Sequence, residues 1–126
     1  MKLVDKKITL EELKKMAEEK FGNLVKAVVD VEKGVMVVDA ELHSDEEAQL
    51  LSQGSKQENL WGINLYPELK GDGFIEFDSV INLRPSFGNS SRGVDDPKIK
   101  EKIIGIVEKL IENGRSGFAA PSILEK

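Results

Sequence analysis

Two groups of polar residues in this 126-residue chain have types and spacings that could support chemistry. The first combines acids with the single histidine and comprises Glu41, His43, Glu76 and Asp78. Carboxylates can hold a divalent metal through oxygen, and an imidazole can add a nitrogen ligand or act as a general base. These four are the candidate catalytic residues. One histidine falls short of the ligand set usual at catalytic zinc, and His43 can equally be a plain residue between a strand and a helix.

The second group lies in a polar loop and comprises Asn82, Arg84, Asn89, Ser90 and Arg92. The loop follows an alternating strand, contains glycines and ends at Asp96-Pro97, which is typical of a helix start. A helix N-terminus can hold an anion, and an arginine adds a fork of donors, so these five are the candidate ligand-binding residues. Because the P-loop and dinucleotide motifs are absent, an ordinary structural loop is the competing interpretation.

Composition excludes several classes of protein. The chain has no cysteine, which rules out disulfides, zinc–thiolate sites and thiol nucleophiles. Its net charge of −5 argues against a dedicated nucleic-acid binder. The N-terminal residues lack a signal-peptide pattern and no apolar run is long enough for a membrane span, so we expect a cytoplasmic protein.

The first half of the chain predicts a helix followed by a β-hairpin. Thr9 and Glu12 form a capping-box pattern for a helix from Leu10 to about Lys20. The predicted strands are 25–31 and 35–42, joined at Lys33-Gly34. A two-residue turn there would place Val29 opposite Val38, and Lys26 opposite Glu41, with the alternate valines buried.

The second half repeats the pattern. A short helix over 45–53 is predicted, capped by Ser44 and burying Ala48 and Leu51. Strands then run over 60–66 and 75–84, and their predicted pairing sets residue 65 opposite 75, 64 opposite 76, and 63 opposite 77.

The last predicted helix begins at Pro97, carries an apolar face and ends near Asn113-Gly114. Residues 1–114 then form a single domain, and 115–126 form a tail that is mobile or docks through Phe118, Ile123 and Leu124.

These elements predict an α+β fold with the order α-β-β-α-β-β-α. Two hairpins would form an antiparallel or mixed four-stranded sheet, with three helices mainly on one face. The opposite face would then be polar, either solvated or carrying a site, with Lys26, Asp30, Asp39, Glu41, His43, Asn64, Tyr66, Glu76, Asp78, Asn82 and Arg84.

The runs GSKQENLWGINLYPE and FDSVINLRPSFGNSSRGVDDP, together with KAVVD and AELHSDEEA upstream, resemble a small prokaryotic family catalogued only as a domain of unknown function. The resemblance covers residues 1 to about 112. It implies no activity, cofactor or catalytic residue, and it suggests that the polar strands and loop are the part that the family shares.

Two functions fit these observations. The first is a small binding or assembly module, either monomeric or a homodimer, whose polar sheet face and 82–96 loop contact a small anionic ligand or a partner protein. The alternative is a metal-dependent hydrolase or transferase that uses the carboxylate and histidine group, with Arg84 or Arg92 stabilising developing charge. The metal version requires its carboxylates to converge, which a structure can check.

Overall fold

A computed structural model describes residues 1–112 of the chain. It is an α+β fold in which a five-stranded antiparallel sheet has the strand order β1-β4-β3-β5-β6, and a separate pair, β2-β7, is parallel. The predictions for residues 113–126, the helix end at Asn113-Gly114 and the tail, lie outside the described residues.

The helices are α1 (Leu10–Lys20), α2 (His43–Ser52) and α3 (Pro97–Leu110). The strands are β1 (Lys2–Val4), β2 (Ile8–Thr9), β3 (Val25–Asp30), β4 (Val35–Val38), β5 (Leu60–Leu65), β6 (Ile75–Glu76) and β7 (Ile111–Glu112). The α+β class and the three helices are confirmed. The four-stranded sheet and the element order were wrong, because short strands at both ends of the described chain join the fold.

Both predicted helix starts with side-chain caps at Thr9 and Asp96 are confirmed. Thr9 Oγ1 accepts from the Glu12 N–H at 3.0 Å, and the Glu12 carboxylate accepts from the Thr9 N–H at 3.1 Å. The Asp96 side chain accepts from the Lys98 N–H at 2.9 Å and Pro97 takes the first helical position. The face of α3 that carries Ile103, Val107 and Leu110 is buried.

The predicted register of the first hairpin was wrong by two residues. Val29 pairs with Met36 rather than with Val38. The turn is longer than two residues because the Asp30 carboxylate accepts from the N–H groups of Glu32 and Lys33, at 2.8 and 2.9 Å. A shift of two keeps the paired residues of β3 and β4 on their predicted faces. Strand β4 ends at Val38 rather than at residue 42, so the proposed pairing of Lys26 with Glu41 does not form, and Leu42 is exposed.

Both faces of the sheet are covered. On one face α1 and α3 pack on a large core that includes Leu13, Ala27, Trp61 and Ile103. On the other face, Leu50 of α2 packs with Val28, Val37 and Leu60. The prediction of helices mainly on one face therefore holds only for α1 and α3. The predicted open polar face is partly covered by α2 and the chain that follows β6, which leaves Glu41 and Glu76 exposed.

The buried face of α2 differs from the predicted one. The helix starts at His43 rather than Asp45, no side chain caps it, and Ala48 and Leu51 are exposed. Its buried residues are His43, Glu46 and Leu50. An apolar pattern could not reveal this face because two of its three members are polar.

Glu46 is a fully buried carboxyl group. Its Oε2 accepts from the Ala40 N–H at 2.9 Å, which ties α2 to the end of β4, while Oε1 has no partner among the described residues. Burial raises the pKa of Glu46 to about 9, against the opposing effect of the Ala40 hydrogen bond. Glu46 is therefore neutral in the folded protein at pH 7.

This protonation makes stability dependent on pH. The unfolded carboxyl ionises near pH 4.5 and the folded one near 9, so the folded state holds an extra proton between these values. The free energy of unfolding should therefore fall as pH rises through this window, by up to about 1.4 kcal/mol per pH unit. Glu46→Gln should remove this fall and be more stable than the wild type at pH 8 in urea titrations.

Glu18→Gln, an exposed change on α1, serves as the control and should leave the pH profile unchanged. Parallel profiles for Glu46→Gln and the wild type would show that Glu46 is ionised in the folded state.

Candidate functional site

The predicted strand over 75–84 ends after two residues. The register with β5 is confirmed at Leu65–Ile75 and Asn64–Glu76, but the predicted pairing of Ile63 with Phe77 does not form a ladder. The chain instead leaves the sheet and makes short 3-10 turns at Val80–Asn82 and Pro85–Phe87. Because this segment is not a strand, the alternation of its side chains does not predict which of them are buried. Asn82 and Arg84, predicted on the polar face, are buried, and Leu83 is exposed.

The side chain of Asn82 makes the hydrogen bonds to β5 that a longer β6 would have made. Its Oδ1 accepts from the Gly62 N–H at 2.8 Å, and its Nδ2 donates to the Gly62 carbonyl at 2.9 Å. The same Nδ2 donates to the Arg92 carbonyl at 2.8 Å. One buried amide thus satisfies the edge of β5 and holds the returning loop.

Gly62 is required by close packing rather than by its backbone angles. A Cβ at this position would lie 2.6 Å from both Cβ and Oγ of Ser79, and 3.2 Å from Cγ of His43. Ser79 and His43 therefore lie against the backbone of the same residue, which brings the chain after β6 and the start of α2 together.

Asn89 and Arg84 organise the rest of the loop. Asn89 Nδ2 donates to the carbonyls of Asn82, Ser91 and Gly93, and its Oδ1 accepts from the Asp95 N–H at 2.8 Å. The Arg84 guanidinium donates to the carbonyls of Gln57 and Leu60 and stacks 4.4 Å from the centre of the Trp61 ring. These side chains stabilise the free protein, and their predicted role in ligand binding stays a prediction.

The other two predicted loop residues are exposed. Ser90 donates its N–H to the Asp95 carboxylate at 2.8 Å. Arg92 donates through Nε to Asp78 at 2.6 Å, and its backbone carbonyl accepts from Ser79 and Asn82. Of the five predicted loop residues, Arg92 reaches the cavity described next.

A cavity of about 310 Å³ lies between the start of α2, the second face of the sheet and the chain that follows β6. Its wall is formed by Lys26, Leu42, His43, Ser44, Asn64, Asp78, Ser79, Val80, Ile81 and Arg92. Two of the predicted catalytic residues, His43 and Asp78, thus meet here. We call this space the α2 cavity.

The charges in the α2 cavity are mostly positive. Lys26 lies 5.3 Å from the centre of the Phe21 ring and has no ion-pair partner among residues 1–112. Arg92 is paired with Asp78, the single carboxylate of the wall. The N-terminus of α2 adds the partial positive charge of the helix dipole, and the acidic side chain of Asp45 lies in the same first turn.

His43 is held in one tautomer. Its Nε2 lies 2.8 Å from the carbonyl oxygen of Ile63, which can only accept, so Nε2 carries the hydrogen. Burial lowers the pKa of His43, the Ile63 hydrogen bond opposes this, and the charge of Lys26 adds to the lowering. The ring is therefore neutral near pH 7, with Nδ1 as an acceptor.

The remaining predicted catalytic residues lie elsewhere. Glu76 accepts from Asn64 Nδ2 and from the Tyr66 hydroxyl, both at 2.9 Å. Glu41 lines a separate, more open depression with Lys20, Asp39 and Asp45. No group of three or more His, Asp or Glu within residues 1–112 is placed to hold a metal ion, so the convergence that the metal alternative requires is not found there.

A family model described as "Protein of unknown function (DUF5674)" matches residues 2–110. The chain belongs to this family. No curated protein and no solved structure matches the chain. The resemblance to a family catalogued only as a domain of unknown function is thereby confirmed, and DUF5674 membership assigns no activity. No described helix of this DUF5674 member has the length and apolar character to cross a membrane.

Sequence reasoning placed Lys26 and Asn64 on one sheet face through strand parity, and they are cross-strand partners. It missed Ser44, Ser79 and the apolar residues of the cavity wall. Ser79 had been assigned to a strand, and no sequence signal indicated that it would pack on Gly62.

Gly62→Ala should destabilise the protein by about 1–3 kcal/mol, because the new methyl group clashes with Ser79. Ser79→Gly in the same chain should restore part of this loss, giving a favourable coupling energy in a double-mutant cycle measured by urea denaturation. Gly105→Ala in α3, where space is open, should not destabilise. Strict additivity of the two changes would rule out the contact.

Asn82→Ala should cost about 2–4 kcal/mol, since it leaves the N–H and C=O of Gly62 without their partner. Hydrogen exchange should show faster exchange at the Gly62 amide than at amides in the β3–β4 pair. The exposed change Asn23→Ala is the matched control. Unaltered protection of Gly62 would contradict the proposed role of Asn82.

Proposed function

We propose that this domain binds a small anionic ligand in the α2 cavity. The observation that carries the proposal is the excess of cationic groups there: Lys26 and Arg92 face one carboxylate, Asp78, beside the uncapped start of α2. A neutral His43 adds no charge. An anion placed there gains from both cations and from the positive end of the α2 dipole.

The size of the cavity suits a small molecule. Its volume of about 310 Å³ is near the lower limit of ordinary ligand pockets, about 300–1,000 Å³. Leu42 and Val80 on its wall are 57% and 65% exposed, which supplies apolar contact at the opening. The proposed site thus includes Arg92, one of the predicted loop residues, and Lys26, which lies on β3.

A partner protein is the second candidate. Leu83 and Phe87 project from the same segment that supplies Val80, and all three are exposed large apolar side chains. An apolar surface of this kind fits a protein partner or a second copy of the chain.

We also propose a cytoplasmic, prokaryotic setting, which a cysteine-free chain suits.

The anion proposal is tested by titrating the protein with inorganic phosphate and citrate at low salt and following amide resonances. Shifts should be confined to residues 26, 42–44, 64, 78–81 and 92, which line the cavity. Lys26→Gln should weaken binding about tenfold, which corresponds to about 1.4 kcal/mol. Asp78→Asn should instead tighten binding, because it removes the carboxylate and frees the guanidinium of Arg92.

Lys102→Gln, an exposed change on α3 with the same loss of charge, is the matched control and should leave binding unchanged. Equal weakening by Lys26→Gln and Lys102→Gln would mean that binding depends on net charge alone. No shift at these amides would refute the anion site. Binding of a partner protein would then be the remaining candidate function, and sedimentation of the wild type and of Phe87→Ser would test it.

A further inference from the structure

The wall of the α2 cavity carries acceptors as well as cations. Asn64 is 5% exposed and lies on the cavity wall next to its cross-strand partner Lys26. Its Nδ2 donates to Glu76 Oε1 at 2.9 Å and to the Asp78 carbonyl at 3.3 Å. Both partners only accept, so the orientation of the amide is fixed. Its Oδ1 is buried and has no partner among the described residues.

His43 supplies a second acceptor. Because Nε2 donates to the Ile63 carbonyl, Nδ1 carries a lone pair, and no described residue donates to it. His43 also lines the cavity. A simple carboxylate such as propionate satisfies the cations but has no hydrogen to donate to either acceptor, and leaving the buried Oδ1 of Asn64 without a donor costs about 1–3 kcal/mol.

We infer that the ligand is a small hydroxylated anion: a carboxylate or phosphate with a hydroxyl group on a neighbouring carbon. This inference rests on the proposed anion site. The acidic group would contact Lys26 and Arg92, and the hydroxyl would donate to Asn64 Oδ1 or His43 Nδ1. An ammonium donor fits less well because Lys26 and Arg92 repel a second positive charge.

The volume of the α2 cavity restricts the class of ligand further. About 310 Å³ accommodates a hydroxy acid or polyol phosphate of a few carbons. Sites that hydrogen-bond a ligand hydroxyl discriminate strongly against analogues without it, because their polar groups would stay unpaired. The distinguishing property of this site is thus its preference for the hydroxyl group, separate from its affinity for anions.

The experiment compares matched ligand pairs on the full chain by calorimetry and amide shifts. Glycerate is compared with propionate, and glycerol 3-phosphate with propyl phosphate, which also distinguishes a carboxylate from a phosphate ligand. We expect the hydroxylated member of at least one pair to bind about tenfold more tightly. Asn64→Leu and His43→Phe should each reduce this ratio several-fold.

The ratio is the readout because general damage to the fold weakens both members of a pair alike. Asn23→Ala, an exposed change, should leave the ratio unchanged. If both members bind equally, or if the ratio survives in both Asn64→Leu and His43→Phe, the hydroxyl inference is wrong while the anion site stands. If neither member of either pair binds the wild type, the proposed anion site fails and the inference fails with it.

Discussion

The hydrogen bonds between the Asn82 amide and the backbone of Gly62 hold the second half of the domain together. Strand β6 ends at Glu76, so the adjoining edge of β5 would otherwise present unpaired N–H and C=O groups. Asn82 and Arg84 satisfy Gly62 and Leu60 with side chains instead. The chain after β6 therefore runs along this edge without forming a strand, and its turns form one wall of the α2 cavity.

The helix at the opposite wall, α2, carries two groups that burial keeps neutral. His43 and Glu46 lie on the inner face of α2 and bond to the backbone of Ile63 and Ala40. Desolvation lowers the pKa of His43 and raises that of Glu46, so both lose their charge inside the fold. The charges that remain at the cavity are those of Lys26, Asp78 and Arg92, and their balance gives the site its positive character.

Membership of DUF5674 extends over nearly all the described residues but brings no function with it. The proposed ligand binding therefore rests on local chemistry. Asn64 and His43, each with an acceptor atom that has no partner among residues 1–112, border one space of limited volume together with an excess of cations. This arrangement is the basis for proposing a ligand that carries both negative charge and a hydrogen-bond donor.

The sequence by itself determined the helices at Leu10 and Pro97, the faces of β3 and β4, and the pairing of Leu65 with Ile75, because local capping and strand parity decide them. Only the tertiary structure decided that Asn82, Glu46 and His43 are buried. Their burial depends on hydrogen bonds to residues 6 to 20 positions away, which no local pattern encodes. The α2 cavity exists because those distant bonds bring a helix start and a loop onto the same face of the sheet.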